Sequence, residues 1–304
     1  MRTSLSQQIQ NALNYTNGTN QTLSAAQNAA VSGKRITRAS DDVPGTIKGM
    51  SLRSAINTTR QYSNNIDVNQ PLLQATDSAL MSLTDLVKSV RDIAADAAET
   101  DIANTGETYI GELDGILSQM VDLMNTKHND QYIFSGTATD TEAITKQADS
   151  TYAYTGNEGT RTTKVMAWVS LQVNIPGNSI CNFDGSAGTG TTDIFTMVTQ
   201  LEDAIESGNV SDISAQLDNI DKNLSNMASC EARVGSWEAR MEDASVTLSE
   251  TQDRLETMLS DVEDIDMTEA VVNLKTQENV YKVALSVTSQ ILDISLASLD
   301  YLSI

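Results

Sequence analysis

Residues 266–302, DMTEAVVNLKTQENVYKVALSVTSQILDISLASLDYL, hold neither proline nor glycine and carry two apolar repeats side by side. Asp266 and Glu269 place acidic side chains where a helix begins, near the positive end of its dipole. Steps of three and four from Val271 reach Leu274, Glu278, Tyr281, Leu285, Thr288, Leu292, Ser295, Leu299 and Leu302, the seven-residue repeat of a coiled-coil seam. A second seam runs beside it through Ala270, Val280, Ala284, Val287, Ile291, Ile294 and Tyr301. One partner helix covers one seam. Two adjacent seams make a face too wide for a single partner, and a bare apolar face of that size on a monomer invites aggregation. The stretch is therefore predicted to be the inner element of an assembly, covered by another part of its own chain and by neighbouring subunits.

The other chain end offers the partner. Leu5, Ile9, Ala12, Thr16, Thr19, Leu23, Ala26 and Ala30 form a repeat of small, often polar residues. Such a helix is marginal alone and needs a surface to form against. The connection that follows, SGKRITRASDDVPGT at 32–46, has the punctuation of a helix-to-helix turn. Gly33 suits a helix end, Asp41 and Asp42 can cap or pair, and Pro44 suits the first turn of the next helix. Arg35 and Arg38 fall within reach of those aspartates, either as a polar clasp or as part of a contact surface.

Beyond it, helical pattern runs to Pro71, which either kinks the helix or starts a new one. A clean register follows: Leu72, Thr76, Ala79, Leu83, Leu86, Val90, Ile93 and Ala97, then a shorter amphipathic stretch from Ile110 to Met124. Residues 135–193 change character, rich in Thr, Gly, Ser and Asp. Within them TYAYTGNEGTRTTKVMAWVSLQVNIPGN reads as one hairpin, with Tyr152 and Tyr154 before a turn at Gly156–Gly159 and an extended return after it. Helix resumes near Asp193, and after Gly208 a very long seam runs from Ile213 to Val262. The expected fold is mainly α with a β-rich insert: a long antiparallel coiled-coil rod, paired terminal helices, and a small β domain inserted mid-chain. The expected divisions are 1–45 with 267–304, 46–134 with 194–266, and 135–193. The insert should be replaceable by a short linker with the helical bundle left folded.

A net charge of −22 over 304 residues repels nucleic acid and anionic membrane surfaces. No run has the apolar length of a membrane span, and the N-terminal residues lack the apolar core of a cleaved signal. Cys181 and Cys230 set no disulfide framework and read as free thiols. The loop GSAGTGTTD lacks the lysine of a phosphate loop, and the acidic run at 261–266 lacks the ligand spacing of a calcium loop. His128 has no nucleophile at a recognisable spacing, and Trp168 and Trp237 read as packing residues. No catalytic, metal-binding or cofactor-binding residue is expected, and an enzyme is not expected. A soluble coiled-coil signalling adaptor is the alternative from another class, against which the β insert counts.

Several stretches together carry a resemblance. VSGKRITRASDDVPGTIKGMSLR with RQYSNNI, then DQYIFSGT at 130–137, YTGNEGTRTTKV, VNIPGN and the closing helix resemble the hook–filament junction proteins of bacterial flagella, the hook-associated protein 3 family within the flagellin-like superfamily. Arg35, Asp41, Asp42, Tyr132, Phe134, Ser135 and Gly136 fall on its motifs. Pro71 and the extra Val43 depart from its usual pattern. The resemblance implies a non-enzymatic structural protein of the extracellular flagellum, exported by the flagellar type III apparatus without a cleaved signal. It would bind itself in a ring or helical array, another hook-associated protein on the hook side, flagellin on the filament side, and an export chaperone. The assembly seam would comprise Leu5, Ile9, Leu23, Leu274, Val280, Tyr281, Leu285, Val287, Ile291, Leu292, Ile294, Leu299 and Leu302. Flagellin itself, which shares the paired ends, is the alternative within the superfamily.

Overall fold

A computed structural model describes residues 5–99, 102–148, 151–183 and 192–300. Among the described residues the chain forms α1 (Leu5–Ser32), α2 (Val43–Glu99) and α3 (Ile102–Met124), then six short strands. These are β1 (Lys127–His128), β2 (Gln131–Tyr132), β3 (Ile144–Lys146), β4 (Tyr152–Tyr154), β5 (Thr162–Met166) and β6 (Val169–Gln172). A short α4 (Gly177–Cys181), α5 (Ile194–Ser207), α6 (Val210–Glu263) and α7 (Met267–Asp300) complete it. Residues 1–58 with 251–304 form one compact unit and residues 59–250 another. The divisions fall inside α2 and α6.

In the 59–250 unit, polar contacts fix the direction of the helices. Gln70 donates to Glu242 at 3.0 Å, Thr84 to Glu231 at 2.5 Å and Arg91 to Asp221 at 2.6 Å. Partners fall along α6 as positions rise along α2, so the two helices are antiparallel. The heptad positions of α6 show why they pack. Ile213, Ile220, Met227, Val234, Met241 and Leu248 are buried, and the intervening Leu217, Leu224, Glu231 and Glu238 are half-buried. Along α2 the expected register is covered, and a second row, Leu73, Leu80, Val87 and Ala94, is wholly buried beside it. Two buried rows are what a helix shows when it packs on more than one neighbour. Pro71 lies inside α2 without ending it; the Asp67 carbonyl simply loses the N–H four residues on.

The strands correct the expected hairpin. β4 pairs antiparallel with the earlier β3, Ile144 opposite Tyr154, and β5 pairs with β6 around a two-residue turn of Ala167 and Trp168. The 155–159 segment is not a hairpin tip, because its groups are bound elsewhere. Asn157 N donates to the Ser135 carbonyl at 3.1 Å, and Asn157 Oδ1 accepts from Thr137 N at 2.8 Å and Gly159 N at 3.0 Å. Trp168, expected to pack, is 85% exposed at the β5–β6 turn. Trp237 is half-buried, with Arg233 over its ring. The Gly185–Gly190 loop lies outside the described residues.

DQYIFSGT organises this region. Phe134 is buried, and its carbonyl accepts from Gly177 N at 2.8 Å and the Tyr154 hydroxyl at 2.9 Å. Ser135 Oγ donates to the Thr141 carbonyl at 2.7 Å. Gly136 has φ 71°, and a Cβ there would collide with the Asn157 carbonyl, so glycine is required. Tyr132 lies under the Lys127 ammonium, 4.4 Å from its ring centre. The strand region has no core of its own. Ile144, Val165, Leu171, Ile175 and Ile180 belong to the same buried cluster as Met120, Met124, Phe195 and Leu201 of the helices. Cys181 and Cys230 are free and buried; burial pushes both thiols up from their ordinary range, far up for Cys181.

Candidate assembly surface

The other unit is built from the chain ends. α1 and α7 lie against each other along their length, with Thr16 Oγ1 2.9 Å from Thr288 Oγ1 and Thr22 donating to Gln277 at 3.3 Å. Partners fall on α7 as positions rise on α1, so this pair is antiparallel too. On α1 the covered positions are Ile9, Ala12, Thr16, Thr19, Leu23, Ala26 and Ala30, alternating by three and four. On α7 they are Ala270, Leu274, Gln277, Tyr281, Ala284, Thr288 and Ile291. This is one heptad seam, and it draws on both repeats read from the sequence. The seam is thin: its middle is Ala, Thr and Gln rather than Leu and Ile.

The large apolar residues of α7 are left outside. At 100° per residue, Val271, Leu285 and Leu292 form a stripe on one flank of the seam, Val280 and Val287 lie on the other, and Val272 and Val283 continue from them toward the face opposite the seam. All seven are exposed, from 40% at Leu292 to 63% at Val272 and Val283. Of the residues expected to form the assembly seam, the structure brings Ile9, Leu23, Leu274, Tyr281 and Ile291 into the α1–α7 contact. Val280, Leu285, Val287 and Leu292 lie on the uncovered flanks. Nothing is described of the side chains of Leu5, Ile294 and Leu299, and Leu302 lies outside the described residues. The thin seam leaves α1 dependent on α7, and the flanks leave apolar surface of α7 exposed.

The 33–42 connection ties this pair to the ends of its neighbouring helices within the same unit. Gly33, at φ 68°, closes α1 with its N–H on the Ala29 carbonyl at 2.9 Å. Lys34 pairs with Asp264 in an isolated bridge, Arg35 N donates to the Glu263 carbonyl at 2.7 Å, and Ile265 N donates to the Gly33 carbonyl at 3.0 Å. Arg35 reaches both ways, to Asp42 at 3.2 Å and the Val262 carbonyl at 2.9 Å. Asp42 caps α2 through Gly45 N at 2.9 Å, and that bond first, then Arg35, holds its carboxyl below the ordinary value. Asp41 accepts from Arg38 N at 2.7 Å, the main cause of its own lowered value. Asp266 caps α7 through Thr268 N at 2.7 Å, and this bond and one from Glu269 N lower its carboxyl.

The residue that sequence reading missed is Glu263. It sits in the acidic run, yet it is 4% exposed and accepts from Lys34 Nζ at 2.9 Å and Arg53 Nη2 at 2.5 Å. Gly49, one turn before Arg53 on the same face of α2, leaves the space its carboxylate fills; a Cβ there would collide with Glu263 Oε1. That i, i+4 spacing of glycine and arginine was the available signal. The motif residues fall in two different units. Arg35, Asp41 and Asp42 belong to the unit of the chain ends, and Tyr132, Phe134, Ser135 and Gly136 to the other.

Comparison with known proteins agrees with this layout. The family model of the bacterial flagellin N-terminal helical region matches residues 4–139, and that of the flagellin C-terminal helical region matches residues 217–302. The chain belongs to the flagellin-like superfamily. It is a structural component of the flagellum rather than an enzyme. Flagellin of Bacillus subtilis strain 168 is 23% identical to this flagellin-like chain over 284 residues, covering 90% of each. Among solved structures, a flagellar hook-associated protein from Vibrio parahaemolyticus superposes with a TM-score of 0.66 at 23% identity, over 74% of this chain and 100% of that one. Flagellar hook-associated protein 3 from Legionella pneumophila gives 0.63 at 14% identity, over 70% and 98%. Bacillus cereus FlgL gives 0.58 at 19% identity, over 69% and 99%. The fold is that of the hook-associated protein 3 structures. Among the described residues no helix is long and apolar enough to cross a membrane.

Proposed function

We propose that this flagellin-like chain is the junction subunit between the hook-associated region and the flagellin filament. In this role it binds copies of itself in a ring or helical array, another hook-associated protein on the hook side, flagellin on the filament side, and a chaperone before export. The observation that carries the reading is the α1–α7 pair: a thin internal seam with an apolar stripe left bare on each flank. Two bare flanks on one helix suit neighbours on two sides, as an axial array provides. A fold shared with nearly the whole length of hook-associated chains supports the junction over the shaft. The expected assembly residues are Val280, Leu285, Val287 and Leu292, reached by neighbours, with Leu274, Tyr281 and Ile291 holding α1.

The flagellin reading is favoured by one specific observation, the alignment with a flagellin over nine-tenths of both chains. Immunogold labelling of isolated flagella separates the two. A single band at the hook–filament boundary is expected; label along the whole shaft would replace the junction reading with flagellin.

A further inference from the structure

The chain's charge is not evenly spread. Residues 1–60 carry seven of the 19 basic residues and only two of the 41 acidic ones, Asp41 and Asp42. Part of that excess converges in the unit of the chain ends. A groove of about 380 Å³ is lined by Lys34, Arg38 and Arg53, with Glu263 as its one carboxylate and Ser32, Thr37 and Thr46 beside them. Glu263 is already used, by Lys34 and Arg53 together. The neighbouring Asp41 is held by the Thr37 hydroxyl and by the Thr37 and Arg38 amides. An ammonium has three donors and a guanidinium five, so Lys34 and Arg53 keep donors in hand. Both are about half exposed, and the Arg38 guanidinium makes no ion pair among the described residues. The groove is a cationic site with donors facing solvent.

The matching surface lies on the other unit of the chain. Asp92, Asp96 and Glu99, at i, i+4 and i+7, are exposed on one face of α2 and span about 10 Å. None of them makes an ion pair among the described residues. We propose that the Lys34–Arg38–Arg53 groove receives this acidic α2 face from a second copy of the chain. A basic patch and an acidic patch at different places on one chain meet either reciprocally across a two-fold axis, which closes a dimer, or head to tail, which leaves one of each free on every copy and repeats into a ring or helical array. The head-to-tail contact is the one that fits an array. Charge complementarity of this kind selects the partner and its register, while the apolar flanks of α7 supply burial.

The inference rests on the self-assembly part of the proposed function, and the test keeps the two apart. A photo-reactive phenylalanine replaces Thr37 in the full chain in flagellated cells; flagella are isolated, irradiated and analysed by mass spectrometry. The expected product joins position 37 of one copy to the peptide carrying Asp92–Glu99 of another. Arg38→Glu should lower its yield about tenfold, Arg38→Lys should retain it, and Asp92→Lys with Asp96→Lys should restore it in the Arg38→Glu background. Thermal melting of each purified variant verifies that it folds. A cross-link to a different protein or elsewhere in the second copy overturns the proposal. So does a yield that Arg38→Glu leaves unchanged, or its absence from flagella that contain the protein. The location of the label, at the boundary or along the shaft, tests the junction reading independently.

Discussion

The two units solve the same problem with opposite outcomes. In residues 59–250 the repeats meet large partners: Leu73, Leu80, Met120, Phe134, Phe195 and Ile220 are almost wholly buried, and the strand region adds its own side chains to that cluster. The Phe195 ring sits between those of Tyr152, tilted at 5.1 Å, and Phe183, stacked at 5.7 Å. In the unit of the chain ends most of the seam is Ala, Thr and Gln, with Ile9, Leu23, Leu274, Tyr281 and Ile291 as its larger members, while other valines and leucines of α7 face outward. Helices too short of buried area are not stable by propensity alone. The proposed assembly gives this contrast a meaning: the first unit would fold by itself, and the second would be completed by neighbours that cover its apolar surface.

The largest test of this contrast is to remove the strand region. The sequence reading expects the helical bundle to survive replacement of residues 138–190 by a short Gly-Ser linker. The shared core predicts that it will not: Ile144, Val165, Leu171, Ile175 and Ile180 leave together. Each fully buried side chain of this kind contributes about 1.5–3 kcal/mol, so the total rivals the ~5–15 kcal/mol stability of a whole domain. Circular dichroism should show the cooperative helical transition lost. Retention of that transition would restore the insert to an independent domain.

A single truncation sharpens the comparison. Phe195→Ala should destabilise the 59–250 unit by about 3–5 kcal/mol, read as a drop in its melting transition. Leu23→Ala, on the thin α1–α7 seam, should leave that transition in place. Equal shifts from both would mean that the units are not energetically separate.

Leu285→Asp works the other way. Leu285 is 45% exposed and outside the α1–α7 contact, so a carboxylate there stays solvated in the monomer and leaves its melting unchanged. In an array the same carboxylate would be buried without a partner, at a cost of several kcal/mol. Incorporation into flagella should fall by more than tenfold. Normal incorporation would remove the flank from the assembly surface.

The smallest effect concerns Glu202 on α5, whose carboxyl is pushed up to about 7, first by burial and then by Asp114 and Asp203. Its folded value lies above its unfolded one, so its protonated form favours the fold. That contribution is present below the unfolded value and is lost as pH rises through about 7. Glu202→Gln should therefore flatten the decline in melting temperature between pH 5 and pH 8. Because the group is about half exposed, the change should be small. A decline that persists unchanged would assign it to another group.

Much of this was legible in the sequence because it is carried by repeats. The α6 heptad and the α1 seam lie where their periods place them, and Gly33, Asp42 and Asp266 end or cap the helices they punctuate. Three things were not legible. The α7 seam crosses between the two repeats, taking Ala270, Ala284 and Ile291 from one, Leu274, Tyr281 and Thr288 from the other and Gln277 from neither, because two adjacent apolar repeats do not say which positions face α1. The pairing of β4 with β3 depends on Asn157 anchoring residues 155–159 to Ser135 and Thr137, a contact across the chain that local turn signals do not contain. Glu263 was hidden for a similar reason, since its partners lie more than two hundred residues away.

Hydrogen exchange on the full chain, compared between verified monomer and isolated flagella, tests the central contrast most directly. In the monomer, amides of residues 5–32 and 267–293 should exchange near the rate of unstructured peptide. Those of residues 72–97, 113–124 and 213–248 should be strongly protected. In flagella both sets should be protected. Equal protection of α1 and α7 in the monomer would contradict the account, because it would mean that the chain ends complete themselves without neighbours.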